Sequence, residues 1–256
     1  MKNQDLKEKY DSVFKEGAYN FFTSDGFHEA LSIAASYDWR EKKVLDIGCG
    51  EGRLGSTIAG AGASEVVGVD YSTEAIKNAQ SRFDIPNLEF ICVDYKSINE
   101  KFDVVTMQGV MEHFDNPWDE LKNILDNYLV EDGVVVTSSP SFLNPRGYVW
   151  MTLAKLFDVP MSLTDLHFIC PFDMIDFCKE HGYSLEYESI YQDWGCGETM
   201  LNDLNKRLRN ALRDAGMDNT KVADLLAWLS RASGFFTQNN ESGAIVIYKI
   251  SKLKGE

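Results

Sequence analysis

Apolar positions along the chain switch period several times, and each switch marks an element. Residues 5–38 carry helix-compatible spacing, with Phe21, Phe22, Phe27, Leu31, Ile33 and Ala34 supplying apolar faces, so 1–40 is expected to form an N-terminal helical cover. Short β-branched runs follow at 44–47, 65–69, 88–93, 102–107 and 133–138. Helical stretches separate them at 53–61, 73–83 and 117–128, the last opened by Asn116-Pro117. After Pro140 the regularity fails. Residues 141–170 hold Phe142, Tyr148, Trp150, Leu153, Leu156, Phe157 and Phe168 without a clear strand. A helix is expected over 171–181, closed by Gly182, then a strand over 183–191, two helices within 197–234 and a last strand over 244–250. Strands alternating with helices predict an α/β fold, an open, mainly parallel sheet of seven strands with helices on both faces. The whole chain is expected to be one domain carrying cap insertions at 141–170 and 197–234.

Composition narrows the partners. With 25 basic against 40 acidic residues the 256-residue chain has a formal net charge of −15, which opposes nonspecific attraction to nucleic-acid phosphates or an anionic membrane. No apolar run approaches the roughly 20 residues that span a bilayer, and the polar start lacks the apolar core of a signal peptide. The cysteines, Cys49, Cys92, Cys170, Cys178 and Cys196, are scattered and make no closely spaced pairs, as in a reduced compartment. A cytoplasmic protein with neither a nucleic-acid nor an integral-membrane partner is therefore expected.

The densest chemistry lies in Val44-Leu45-Asp46-Ile47-Gly48-Cys49-Gly50-Glu51-Gly52, an apolar strand running into three alternate glycines ahead of a helix. Glycine allows a sharp turn and close approach of a ligand, and the following helix aims free N–H groups at the turn. A dinucleotide fingerprint wants a glycine or alanine where Arg53 stands, and Asp46 and Glu51 bring negative charge towards a pyrophosphate. The same acids suit a ligand bearing an ammonium and a sulfonium, which S-adenosylmethionine has. Asp70, at the end of the second strand, is placed to accept from both ribose hydroxyls, Tyr71 to lie on the adenine, Asp94 to accept from the adenine amino group and Gln108 to contact the methionine end. Arg53 either starts its helix in solvent or meets the cofactor carboxylate.

In order, VLDIGCGEG, VVGVDYS, ICVDY and FDVVTMQGVMEHFDNP make residues 44–139 resemble the class I S-adenosylmethionine-dependent methyltransferases. The resemblance implies a Rossmann-like seven-stranded sheet whose last strand runs antiparallel. It implies contacts of Asp46, Gly48 and Gly50 with the methionine end, of Asp70 with the ribose and of Asp94 with the adenine. Cys49 and Tyr95, inside two of these motifs, complete the expected cofactor-binding set. Glu-His-Phe-Asp-Asn-Pro looks most like the branch of quinone O-methyltransferases and related enzymes of sugar and secondary-metabolite modification. Some of those place a further Glu three residues before the Glu-His pair and use a divalent metal. Gly109 stands there in this chain, and no metal is expected.

Methyl transfer is an in-line displacement at a carbon already activated by sulfonium, so holding the acceptor atom in line supplies much of the acceleration. A hydroxyl acceptor also needs its proton removed. Of the four histidines, His113 follows the fourth strand and is the first candidate base, against a packing role beneath the Asn116-Pro117 turn; His167 is the second. His181 reads as a helix C-terminal residue and His28 as part of the N-terminal helix. The expected acceptor is a small molecule, a hydroxyl of a sugar, a lipid-linked glycan or a secondary metabolite. N-methylation of a small amine and a non-catalytic, cofactor-binding regulator stand as alternatives. Tyr19, Phe22, Tyr148, Trp150 and Trp194 either meet that acceptor or pack the caps. Leu201, Leu204, Leu208 and Leu212 share one helical side, which either packs locally or forms a homodimer surface.

Overall fold

The computed structural model describes residues 25–159 and 165–253. Most of the expected N-terminal cover, including Tyr19, Phe21 and Phe22, lies outside them. Within them the order is α1 (Asp25–Ala35), β1 (Lys43–Ile47), α2 (Arg53–Gly60), β2 (Glu65–Asp70), α3 (Thr73–Arg82), β3 (Leu88–Cys92) and β4 (Phe102–Gln108). Then come α4 (Pro117–Asn127), β5 (Leu129–Pro140), α5 (Pro145–Phe157), α6 (Pro171–His181), β6 (Tyr183–Ile190), α7 (Gln192–Cys196), α8 (Glu198–Asp214), α9 (Val222–Ala232) and β7 (Ile245–Lys252).

The seven strands form one sheet in the order β3-β2-β1-β4-β5-β7-β6, parallel except for its last strands, with helices around it. β1 is central because its side chains are apolar on both faces: Val44, Leu45 and Ile47 are buried, and the strand pairs parallel with β2 (Leu45 opposite Val67) and with β4 (Leu45 opposite Val105). The chain order reverses between β1 and β4, which opens a crevice at the carboxyl ends of these parallel strands.

Two elements differ from the periodicity. β5 begins at Leu129 rather than at 133, because Leu129 pairs with Phe102 and the register then shifts before Val134 pairs with Val104. The exposed stretch 130–132 across that shift hides the strand's start in the sequence. The helix α5 occupies part of 141–170. Its sequence, PRGYVWMTLAKLF, spreads apolar residues around the whole circumference and so shows no helical period.

The chain divides into two compact units. The first takes in the described residues up to Ser138, with 176–186 and the stretch from Tyr248 onward; the second comprises 139–175 and 187–247. The second unit has its own core of Phe142, Trp150, Cys170, Met200, Leu204, Leu208, Leu212, Val222 and Leu229. The leucine side of α8 is thus buried inside the chain rather than offered as a dimer surface, and Trp150, 1% exposed, is a packing residue. Among the described residues no helix is long and apolar enough to cross a membrane.

Candidate active site

The turn after β1 depends on glycine for two separable reasons. Gly48, Gly50 and Gly52 have φ of 66°, 53° and 78°, a region in which a Cβ is strained. Space is also lacking: a Cβ on Gly48 would lie 2.6 Å from Val110 Cγ2, and one on Gly52 2.3 Å from the Phe90 ring. Backbone bonds shape the loop, with the Gly48 and Cys49 amides donating to the Val69 carbonyl at 2.8 and 3.1 Å and the Gly52 amide to the Cys49 carbonyl at 2.9 Å. The Cys49 side chain packs in a cluster with Ile76, Ala79 and Phe90, its thiol donating to the Gly50 carbonyl at 3.9 Å, and burial pushes that thiol well above the usual range.

Asp70 ends β2 and ties two loops together. Its Oδ2 accepts from the Gly50 amide at 3.0 Å and its Oδ1 from the Ser72 amide at 2.8 Å. Ser72 in turn caps α3, its side chain accepting from the Ala75 amide at 3.2 Å.

Asp46 is sealed in, 1% exposed. Thr106 Oγ1 donates to its Oδ1 at 2.8 Å, while Oδ2 is buried with no hydrogen-bond partner. Burial raises its carboxyl from 3.8 to about 7, against the hydrogen bond from Thr106 and with the help of the nearby Asp70 charge. Glu51 lies 2.8 Å from Arg82 Nη1 and 3.6 Å from Arg53 Nη2, so its charge is compensated. The negative character of the turn therefore comes mainly from Asp70, and Arg53 faces Glu51.

Beyond β2 and β3 the expected adenine-side residues separate. Tyr71 is half-buried, and its carbonyl accepts from the Cys92 thiol at 3.7 Å. Asp94 is exposed and caps the short 3-10 helix Tyr95–Ser97, accepting from the Lys96 amide at 2.9 Å. Tyr95 is buried; its hydroxyl donates to Glu120, which also holds Lys96 Nζ at 2.6 Å, and its ring lies 5.5 Å from that of Tyr128. Its side chain is thus engaged with α4.

After β4, Gln108 and Gly109 (φ 62°) lead into the 3-10 helix Met111–His113. Met111 and Glu112 are buried at 0% and 4%, and His113 is half-buried. A Cβ on Gly109 would sit 3.7 Å from Glu112 Oε1, an ordinary contact, so it is the positive φ rather than space that favours glycine there. His167 belongs to the second unit, half-buried in the irregular stretch before α6. His181 donates from Nδ1 to the Phe177 carbonyl at 3.0 Å, a helix-end role.

Three further polar residues occupy this region without having been singled out from the sequence. Thr106 looks like any strand threonine, yet it is the hydrogen-bond partner of Asp46. Ser138 Oγ donates to Glu29 Oε1 at 2.6 Å, and Gln108 donates to the same carboxyl. The one available signal was Glu29 itself, an acid four residues before Ile33 on the buried side of α1.

The residues fit S-adenosylmethionine: a turn whose glycines run through positive φ, the buried acid Asp46 at its entry, and the strand-end acid Asp70 tied to the Gly50 amide.

Residues 39–169 match the family described as "Methyltransferase domain". A relative from Neisseria meningitidis serogroup C, named ubiquinone biosynthesis O-methyltransferase, is 31% identical over 183 residues, covering 64% of this chain and 76% of its own length. Among solved structures, the DhpI–SAH complex superposes with a TM-score of 0.60 at 13% identity over 97% of this chain and 96% of that one. The [4+2]-cyclase SpnF does so with a TM-score of 0.63 at 16% identity over 100% and 98%. At such identities the structural matches establish the shared fold only, and SpnF illustrates that this fold serves more than one reaction.

Proposed function

This chain belongs to the S-adenosylmethionine-dependent methyltransferases, and on that premise we propose that it methylates a hydroxyl group of a small molecule. One observation supports oxygen over nitrogen more than any other, the extended similarity to a relative named as an O-methyltransferase. By the same reasoning a phenolic hydroxyl of the kind met in quinone assembly comes before a sugar or a lipid-linked glycan.

The donor, when bound, supplies a methyl carbon activated by a positive sulfur. Asp70 accepts from the ribose hydroxyls, and Asp94, whose Oδ1 holds the Lys96 amide, contributes Oδ2 to the adenine amino group. The backbone of 48–50 cradles the methionine end, with Asp46 beneath it as a sealed acid. Cys49 acts through its backbone, and Tyr95 supports Asp94 from behind by fixing the next turn to Glu120. Gln108 faces the methionine end from β4. His113, beside the buried Glu112, takes the proton of the acceptor hydroxyl as the oxygen bonds to the methyl carbon and the carbon–sulfur bond breaks. His167 is the second candidate for that proton.

Two measurements test this. Calorimetry is expected to show binding of S-adenosylmethionine and none of NAD; the reverse rejects the donor. A panel of catechol, glucose and a primary amine, followed by release of S-adenosylhomocysteine, is expected to favour catechol. His113→Ala should leave donor affinity unchanged and lower turnover about 10²- to 10⁴-fold. Unchanged turnover would move the base to another residue.

A further inference from the structure

Glu29 places a carboxyl where an apolar side chain would be expected. Its neighbours Ala30 and Ile33 are fully buried, and α1 turns this side inward. Two strand ends hold the carboxyl: Ser138 Oγ, at the carboxyl end of β5, donates to Oε1 at 2.6 Å, and Gln108, the last residue of β4, donates as well. The two ends are locked together, since Gln108 pairs with Ser138 in the parallel ladder and the Gly109 amide donates to the Ser138 carbonyl at 3.1 Å. β4 is also the neighbour of β1, whose end opens into the glycine turn.

Both partners that the described residues give Glu29 are neutral. Burial raises its carboxyl above the usual range against the hydrogen bonds from Ser138 and Gln108, so the charged form gains from a cation beside it. The other acids near the turn are committed elsewhere. Asp46 is closed off under Thr106, Asp70 binds the Gly50 and Ser72 amides, and Glu51 faces Arg82 and Arg53. Glu29 and Asp70 are both partly exposed and held by neutral donors, but Asp70 is tied to the turn by two backbone amides, whereas the donors on Glu29 are side chains at the ends of β4 and β5. A carboxylate fixed in this way favours a cation with hydrogens to donate, which the amino-acid end of the methyl donor carries.

We propose that the Glu29 carboxylate, positioned by Ser138 and Gln108, is the seat of the ammonium group of S-adenosylmethionine. The inference rests on the donor assignment above and adds to it a residue that lies outside the glycine turn and the strand-end acids. Ser138 and Gln108 act as positioning residues: their two hydrogen bonds hold the carboxyl and use only part of its roughly four acceptor positions.

Calorimetry of the full chain with three ligands tests it. S-adenosylmethionine has both the ammonium and the sulfonium, S-adenosylhomocysteine has the ammonium only, and methylthioadenosine has neither. Glu29→Gln should weaken the first two by about ten- to a hundredfold, the usual worth of a hydrogen bond between charged groups, and leave the third unchanged. Ser138→Ala should give the same pattern with a smaller loss, and it guards against a Glu29 variant that folds poorly. Loss confined to S-adenosylmethionine would place Glu29 at the sulfonium and overturn the proposal. Equal weakening of all three, or of none, would also overturn it. Wild-type protein that binds none of the three would instead remove the donor assignment itself.

Discussion

At the scale of single residues, the acids of this site do different work although they look alike in the sequence. Asp46 is the sharpest case, because its folded carboxyl titrates at about 7 against an ordinary 3.8. The native state keeps its proton across that window while the unfolded chain has lost it. The unfolded chain therefore binds fewer protons there, and stability falls as pH rises from about 4 to about 7. The whole effect is on the order of 4 kcal/mol at most, from roughly three units at 1.36 kcal/mol each. Asp46→Asn should flatten that decline, as read by urea midpoints at pH 4, 6 and 8; parallel curves for the two proteins would show that Asp46 does not titrate this way. The motif made Asp46 visible in the sequence. It did not reveal Thr106, which lies on another strand and helps set how the acid behaves.

At the scale of elements, what was legible followed from the regularity of each one. The helix α6 starts and ends where Pro171 and Gly182 predict, and β1 to β4 agree with their apolar runs within a residue. By contrast α5 was hidden, since apolar residues on all sides leave no period to detect, and β5 lost its first residues to a register shift. α8 has the opposite character: Leu204, Leu208 and Leu212 recur every fourth position and are buried against Val222 and Leu229 of the second unit. Leu204, 0% exposed, anchors that stripe. Leu204→Ala should cost about 2–5 kcal/mol of stability, the range for emptying a packed leucine site, measured by denaturant unfolding. A cost below about 0.5 kcal/mol, the usual scale of a surface change, would mean that the stripe is not a core.

At the scale of the whole molecule, the net charge of −15 acts on every residue at once. Self-repulsion of that size opposes the compact state and is screened by salt. The thermal midpoint should therefore rise by a few degrees between about 0.01 M and 0.15 M sodium chloride, where the screening length shortens from roughly 30 to 8 Å. A flat or falling midpoint would show that local ion pairs such as Lys43 with Glu65 and Glu100 outweigh the average field. Composition alone supports that prediction, and the alternation of strands and helices alone supports the α/β class. The acid-glycine turn in its series of strand-end acids was enough to choose a cationic methyl donor over a dinucleotide. All of these are local properties, set by spacing within one element or by a sum over residues. Tertiary structure decided which acids are sealed, stapled, paired or left partly open, and it brought Glu29 to Ser138 across 109 positions of chain. Such a contact depends on which elements pack together, and the spacing of residues within any one of them carries no record of it.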